Sequence, residues 1–292
     1  MLIAVMLAAS AAFFFALGAI LARRSLVDSN FLSATVIITA VGAVIFLSLV
    51  LLVVPIDDVN LTGVLLFAAA GVLAPGLVRL CYFKGMEKLG VSINASIFAT
   101  YPIFGSLFAI FLLNEQPTLG IWMGIILIVS GAVLVERNTQ NAKINSGRIS
   151  KKSMILPLLA AMFLGWAYII RKMGLNIYDE PIMGACLSYI AALSLYALLP
   201  RLSTYVKRSL SFNMKNLRLF WKSGVCICAA WFCAYYAIRY GDVAVVSPIV
   251  DTEPLFIALL AYVYLKDLET ISLKLAAGTF IIVLGVSFIT MF

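Results

Sequence analysis

Two acidic residues stand near the middle of a long apolar segment in the second half of the chain. Residues 243–264 are long enough to cross a bilayer, and they include Asp251 and Glu253 as well as Pro248 and Pro254. A carboxylate at the centre of a bilayer costs about 2.5–3.5 kcal/mol on insertion scales, so such groups face a wet cavity or a partner and mark the path of an ion or solute. These acids are therefore candidates for binding a proton or a cation.

The direction of the two carboxylates depends on the prolines. Asp251 lies four residues after Ser247, on the same face of a regular helix, whereas Glu253 would point about 160° away. Pro254 lacks an N–H group and disfavours helical geometry at Glu253, so both acids can turn toward one cavity. We expect a site in which a carboxylate alternately binds a proton and a cationic substrate.

Arg79, in the third apolar run, offers an alternative interpretation. A buried acid and a buried base in a membrane bundle usually neutralise each other, so Arg79 is also the expected partner of a structural ion pair with Asp251 or Glu253. If it is not paired, its fixed charge and planar fork suit an anionic group of the substrate. An amino-acid-like substrate would need both signs of charge.

Aromatic and polar residues in other apolar runs are candidates for the walls of the same site. Trp231 and Tyr235 share a helical face, as do Asn94 and Tyr101. Such rings suit an organic cation through cation–π contacts of about 0.5–2 kcal/mol, and ordinary helix packing is the alternative. The complete set of predicted substrate-binding residues is Asp251, Glu253, Arg79, Tyr101, Asn94, Trp166, Tyr168, Trp231, Tyr235 and Ser247, with Pro102, Pro248 and Pro254 as hinges.

The composition is that of an integral membrane protein. Of the 292 residues 64% are hydrophobic and 12% are charged, and the mean hydropathy is +1.09, whereas soluble domains carry about 25% charged residues. Apolar runs of at least about 18 residues indicate membrane helices. We predict an all-α membrane protein with ten spans, near residues 2–22, 31–54, 61–83, 91–113, 117–135, 154–170, 181–200, 219–238, 243–264 and 271–291.

Several functional classes are not expected. The first run has no basic residues before it, so we expect a membrane helix and not a cleaved signal peptide. The five cysteines fall within predicted spans and are expected to pack as small apolar residues. The chain has no histidine, no GxxxxGK[ST] nucleotide loop and no catalytic constellation, so we predict no enzyme activity, no metal and no cofactor.

Basic residues are distributed unevenly among the predicted loops. The loops after odd-numbered spans hold 17 of the 21 Lys and Arg residues, whereas those after even-numbered spans hold Arg171, Lys172 and Arg239. By the positive-inside rule the odd loops are cytoplasmic and both termini lie outside. The net charge of +8 therefore reflects topology, and we expect a multi-pass protein of the cell (inner or plasma) membrane and no nucleic-acid partner.

The two halves of the chain repeat the same pattern. Each has a glycine that opens a helix, a central proline, an acid at the helix end and a glycine-rich helix; Pro102 and Pro254 are 152 residues apart, as are Glu115 and Asp267. The pattern predicts repeats at 1–136 and 154–292 joined by a basic linker at 137–153. Five helices per repeat place the halves in opposite orientations, as in secondary transporters.

These residues resemble the ten-helix EamA-type members of the drug/metabolite transporter superfamily over nearly the full chain. The resemblance rests on Gly90–Gly131 and Gly241–Gly285. It implies a basket of ten helices, an inner cavity lined mainly by spans 1, 3, 4, 6, 8 and 9, outer spans that include 5 and 10, and transport without ATP. One departure is that residues 2–22 hold no acid, although small four-helix members of the superfamily couple protons through an acid in their first helix.

The main hypothesis is a secondary active transporter, an exporter or proton-coupled antiporter, for a small cationic or zwitterionic solute such as an amine, an amino acid or a drug-like metabolite. An anionic metabolite bound through Arg79 is the alternative substrate class. A non-transporting scaffold or lipid-handling subunit is the alternative function. The expected partners are the solute, protons and the bilayer, and Gly120 and Gly124 form a GxxxG that predicts close packing within a monomer or in a homodimer.

Overall fold

The computed structural model describes residues 1–25, 28–55, 59–89, 97–139, 151–202, 213–253, 255–256, 260 and 273–291, and every regular element in these ranges is a helix. The helices are α1 (Leu2–Ser25), α2 (Phe31–Val53), α3 (Leu61–Gly71), α4 (Val78–Leu89), α5 (Tyr101–Leu113), α6 (Leu119–Thr139), α7 (Ile155–Ile177), α8 (Pro181–Leu202), α9 (Met214–Tyr240), α10 (Val243–Val250) and α11 (Leu273–Met291). A π-helical turn, Val72–Leu77, joins α3 to α4, and a 3₁₀ turn, Lys151–Met154, precedes α7.

Six stretches among the described residues are long and apolar enough to cross a membrane. They are Leu2–Ala22, Phe31–Val53, Leu61–Tyr82, Ile155–Ile177, Pro181–Leu199 and Met214–Tyr240, and shorter apolar helices lie at Tyr101–Leu113, Leu119–Gly131 and Phe280–Ile289. The chain is therefore a multi-pass membrane protein, as the composition predicts. Residues 91–96 of the predicted fourth span, and residues 254, 257–259 and 261–264 of the predicted ninth span, lie outside the described residues.

Asparagine side chains fix where three of the long helices begin. Asn30 accepts a hydrogen bond from the Ser33 amide at 2.9 Å, and Asn60 accepts one from the Gly63 amide at 3.1 Å. Asn213 does the same at the start of α9. An asparagine at this position satisfies an amide that has no partner within the helix.

Two helices extend beyond their predicted spans. The prediction of a span at 154–170 followed by a loop with Arg171 and Lys172 is wrong, because α7 continues to Ile177. Arg171 does not end the helix, since its charge is stabilised by neighbouring helices, as described below. The prediction that Lys215, Arg218 and Lys222 lie in a loop is also wrong. They lie on exposed positions of the first turns of α9.

Helices α6 and α11 cross with their backbones in contact. A Cβ atom added at Gly124 would lie 2.7 Å from the Gly285 carbonyl oxygen, and one added at Gly131 would lie 2.7 Å from the Gly278 carbonyl oxygen. The two helices run antiparallel, so that Gly124 meets Gly285 and Gly131 meets Gly278. Gly124 of the GxxxG sequence thus packs within the same chain.

The remaining helix contacts also come in equivalent pairs. We call two helices counterparts when they hold the same position in the two halves of the chain, and a contact made by one helix has an equivalent made by its counterpart. Helix α1 packs on α9, and its counterpart α7 packs on α3 and α4. Helix α2 packs on α9, whereas its counterpart α8 packs on α3; α5 packs on α7, whereas α10 packs on α1. The contacts α2 with α8, α6 with α11 and α5 with α10 join counterparts directly. A two-fold relation between two copies of one unit produces this pattern of contacts.

Substituting Gly131 tests the backbone contact between α6 and α11. We expect Gly131→Leu to destabilise the protein by about 1–3 kcal/mol or more, because the side chain would meet the backbone of α11. The measurement is the thermal unfolding of detergent-purified variants. Ser130→Leu is the matched control, because Ser130 is exposed; equal melting temperatures for the two variants would contradict the packing.

Candidate functional site

The predicted fourth and ninth spans are interrupted by a turn at the same place in each repeat. Residues 99–100 form the turn that precedes α5, and residues 251–252 form the turn that follows α10. These turns are 152 residues apart, the same separation as Pro102 and Pro254. Pro102 lies in the first turn of α5, where its missing N–H group costs no helical hydrogen bond, so this helix begins directly after the turn.

The hydrogen bonds at the two turns are also equivalent. The Thr100 hydroxyl donates to the Ile97 carbonyl at 2.7 Å, and the Thr252 hydroxyl donates to the Ile249 carbonyl at 2.7 Å. The backbone amides of both threonines donate to the same carbonyls, at 3.2 and 3.1 Å. The two halves of the chain therefore share local structure as well as sequence.

Charge distinguishes the two turns. The position of Ala99 in the first repeat is taken by Asp251 in the second, and that of Tyr101 is taken by Glu253. Asp251 is buried with 6% of its surface exposed, and it follows the last residue of α10. The carbonyl end of a helix carries partial negative charge, which favours a nearby cation. The second turn is thus an acidic site beside a helix C-terminus.

Aromatic rings form a continuous row next to this turn. Tyr101 stacks on Tyr168 with ring centroids 6.1 Å apart, and Trp231 follows at 6.5 Å from Tyr168 and 6.3 Å from Tyr235. The Tyr101 hydroxyl donates to the Ser247 carbonyl at 3.2 Å, which ties the start of α5 to α10. Five predicted residues, Tyr101, Tyr168, Trp231, Tyr235 and Ser247, are therefore brought together.

A buried arginine that was not predicted as a site residue completes the row. Arg171 has 1% of its surface exposed, and its guanidinium carbon lies 4.1 Å from the centroid of the Trp231 ring. Tyr168 lies within electrostatic range of Arg171, Asp251 and Glu253. A cation and two acids therefore act on the same ring. The unusually short predicted span at 154–170 was the sequence signal for a helix that continues through Arg171.

A break in the third predicted span supplies a partner for Arg171. Ala74 has non-helical dihedral angles (φ −138°, ψ 119°), and Pro75 follows through a cis peptide bond. Arg171 Nη2 donates to the freed Ala74 carbonyl, and the Tyr196 hydroxyl donates to the Pro75 carbonyl at 2.8 Å. Backbone carbonyls that a helix break frees inside a membrane need such donors.

Tyr235 connects Arg171 to α8 and α3. Its hydroxyl accepts a hydrogen bond from Arg171 Nε at 3.2 Å and lies 2.6 Å from the Ser188 hydroxyl. The Ser188 hydroxyl donates to the Phe67 carbonyl at 2.8 Å, and the Tyr235 hydroxyl is 3.1 Å from the Gly184 carbonyl. This network fixes the guanidinium between four helices.

Arg79 lies apart from the acids. Its Nη1 donates to the Thr39 hydroxyl, and Tyr189 is within its electrostatic range. In the described part of the chain, Arg79 makes no ion pair with Asp251 or Glu253. The structure therefore gives no support to the alternative in which Arg79 neutralises these carboxylates.

The other predicted residues lie in different surroundings. Trp166 is 42% exposed and packs edge-on against Phe108, so the structure does not bring it into the row of rings. Pro102 lies in the first turn of α5, and Pro248 lies inside α10. Asn94 and Pro254 are outside the described residues.

Two charged residues, Glu115 in the loop after α5 and Lys172 on α7, hold the turn between α9 and α10. The Glu115 carboxylate accepts hydrogen bonds from the amides of Val243 and Ala244 at 2.9 and 3.0 Å. Lys172 donates to the carbonyls of Ile238 and Gly241 at 2.8 and 2.9 Å. The carboxylate thus meets the N-terminus of α10 and the ammonium group meets the C-terminus of α9, where each charge is favoured.

We call these contacts of Glu115 and Lys172 the clasp. Glu115, the acid at the helix end in the first repeat, caps a helix of the other repeat. Burial raises the pKa of the Glu115 carboxyl. The clasp joins the loop after α5, the C-terminal part of α7 and the turn after α9, which the charge distribution assigns to one side of the membrane.

Removing the Tyr235 hydroxyl tests the network around Arg171. We expect Tyr235→Phe to lower the free energy of unfolding by about 1–3 kcal/mol, because buried donors would lose their acceptor. Thermal unfolding in detergent measures the change. Tyr236→Phe is the matched control, since the neighbouring ring is half-buried and packs against Phe232. A loss no larger than that of the control would show that the network contributes no stability.

Comparisons with known proteins agree with this architecture. The model of the EamA-like transporter family matches residues 2–137 and 151–291. A protein of known crystal structure shares the fold, with a TM-score of 0.80 over 99% of this chain and 97% of that chain, at 16% sequence identity. At this identity the likeness shows the fold alone. Comparison with curated protein sequences gives no match.

Proposed function

We propose that this chain, which belongs to the EamA-like transporter family, moves a small cationic or zwitterionic solute across a cell membrane in exchange for protons. The members of this family are transporters, and the chain has apolar helices long enough to cross a membrane. The substrate and the coupling to protons are our proposal. The observation that carries it is the pair of acids at the turn after α10, beside the row of aromatic rings.

The proposed architecture is ten spans in two inverted repeats of five. Equivalent turns 152 residues apart and helix contacts that exchange the two halves support it. The antiparallel glycine contact between α6 and α11 supports it as well, because inverted counterparts must meet in opposite directions. In such transporters the site lies between the repeats, near the midplane, where helices are discontinuous.

The proposed mechanism is alternating access around the two interrupted spans. Helices α5 and α10 are short and contact each other through the bond from Tyr101 to Ser247. Helix α5 begins directly after a turn, and α10 ends directly before one. Short helix segments on proline-flanked turns can tilt without disrupting the long helices around them. The glycine-lined pair α6 and α11 packs backbone to backbone and serves as the fixed frame.

Proton exchange follows from the chemistry of the acids. A carboxylate that holds a proton is neutral and no longer attracts a cation, so substrate and proton compete for Asp251 and Glu253. The neighbouring rings, Tyr168 and Trp231 among them, suit an organic cation better than a hydrated metal ion, because cation–π contact favours weakly hydrated cations. Antiport of a proton and an organic cation results from this competition.

Neutralising each acid tests the proposed site. Loss of a charged hydrogen bond costs about 1.5–3 kcal/mol, so we expect Asp251→Asn and Glu253→Gln each to weaken substrate binding about 10- to 100-fold. The measurement is solute-driven proton movement in proteoliposomes that contain a pH-sensitive dye, with amines and amino acids as candidate solutes.

Asp28→Asn is the control, because Asp28 is exposed. Full activity of both acid variants would contradict a carboxylate-centred site. Absence of transport by the wild type, with no ligand-induced stabilisation, would favour the scaffold or lipid-handling role.

The clasp is expected to close the site on its own side of the membrane. The reporter is a Ser247→Cys variant, which reacts with a membrane-impermeant methanethiosulfonate when the site is open. We expect Glu115→Gln to increase the rate of this reaction several-fold, because α10 loses charge-assisted bonds at its N-terminus. The background must lack the five native cysteines, all of which are free thiols.

Asp242→Asn is the matched control for the clasp. Asp242 precedes the same helix, and its side chain makes no capping hydrogen bond. An unchanged rate in Glu115→Gln would mean that the clasp does not limit access to the site.

A further inference from the structure

One nitrogen of the buried arginine has no hydrogen-bond partner among the described residues. The Nε and Nη2 atoms of Arg171 donate to Tyr235 and to the Ala74 carbonyl, whereas Nη1 is buried and makes no hydrogen bond to any described residue. Nε and Nη2 form one edge of the planar guanidinium, so that edge is occupied and Nη1 lies beyond it. Buried donors without partners are rare in native proteins, and each calls for an explanation.

Among the described residues, Arg171 also forms no ion pair with a carboxylate. In the described part of the chain, no carboxylate oxygen lies within 4.0 Å of its nitrogens. Its partners are the face of Trp231, a hydroxyl and a backbone carbonyl, all of them neutral. Ionised groups inside membranes normally pair with one another or with backbone carbonyls, or they lie on a substrate path. The carbonyl of Ala74 satisfies only one edge of the guanidinium.

A second unpaired donor stands near the same group. The Tyr189 hydroxyl is buried without a hydrogen-bond partner among the described residues, and it lies within electrostatic range of both Arg79 and Arg171. An O–H group and a free guanidinium N–H in one positive region are the donors that a carboxylate accepts from. No metal or other cation fits this region, because both arginines would repel it.

We infer that Arg171 Nη1, assisted by the Tyr189 hydroxyl, binds a carboxylate group of the transported solute. The inference rests on the proposed function and sharpens it. The acids Asp251 and Glu253 take the amine, and Arg171 takes the carboxylate. The substrate class is therefore a zwitterion of the amino-acid type, and the residue that selects the carboxylate is Arg171, in place of the Arg79 predicted from sequence.

Three probes with one carbon skeleton separate the two charges. Phenylalanine carries both groups, phenethylamine lacks the carboxylate, and 3-phenylpropanoate lacks the amine. Binding of each is measured on the purified full chain by isothermal titration. We expect the wild type to bind phenylalanine about 10- to 100-fold more tightly than phenethylamine, as one charged hydrogen-bonded contact predicts.

Two variants test the donors. Arg171→Lys keeps the charge and removes the fork, and Tyr189→Phe removes a hydroxyl that makes no hydrogen bond, so this variant is expected to fold normally. Both should reduce the ratio of phenylalanine affinity to phenethylamine affinity. We expect this ratio to fall to near unity in Arg171→Lys and to fall partly in Tyr189→Phe. Phenethylamine binding itself should stay unchanged. Glu253→Gln should do the reverse, weakening phenethylamine and sparing 3-phenylpropanoate.

The outcomes separate the inference from the proposed function. If phenethylamine binds and depends on Glu253, but the carboxylate adds nothing in the wild type, the inference is overturned while the acidic site stands. If Arg171→Lys weakens phenethylamine as much as phenylalanine and Tyr189→Phe has no effect on either, Arg171 is a structural residue and the inference is again overturned. If no probe binds, both fail.

Discussion

Polar groups inside the bilayer need hydrogen-bond partners in place of water, and this requirement links the break in the third predicted span to Arg171. Pro75 removes an amide from the helix, and Ala74 leaves helical geometry, so backbone carbonyls are freed where water is scarce. Arg171 and Tyr196 donate to these carbonyls. The arginine in turn could not remain buried without them. The broken helix and the buried cation therefore stabilise each other, and Tyr235 and Ser188 fix their geometry.

The acidic part of the site lies at a turn whose backbone is the same in both repeats but whose charges differ. The two repeats make the same turn with the same threonine hydrogen bonds, which gives two short helices that meet at Tyr101 and Ser247. Only the second repeat places acids at its turn, with Asp251 where the first has Ala99. A symmetric frame thus carries an asymmetric charge pattern. In the proposed alternating-access mechanism, the symmetric frame provides the two related conformations and the acids provide the one binding site.

Much of the fold followed from apolar periodicity and repeated motifs, because membrane spans are set by length and hydropathy. Pro102 and Pro254 were predicted as hinges from the repeated motif, and Tyr101, Tyr168 and Trp231 were predicted as wall residues, but the row that these rings form was not predicted. Arg171 was missed because a charge normally ends an apolar run, and only the carbonyl freed by Ala74 allows this one to stay inside. That carbonyl belongs to a different helix, about a hundred residues earlier in the chain. The separation of Arg79 from Asp251 depends in the same way on tertiary packing, which sequence spacing does not reveal.

The most direct test of a charge-separated site is an experimental structure of the protein in lipid nanodiscs with phenylalanine bound. We predict that the ligand carboxylate lies within hydrogen-bonding distance of Arg171 Nη1, that its ring packs against Tyr168 or Trp231, and that its ammonium group faces Glu253 or Asp251. A ligand bound elsewhere, with Arg171 still held only by Tyr235, Ala74 and Trp231, would contradict this arrangement.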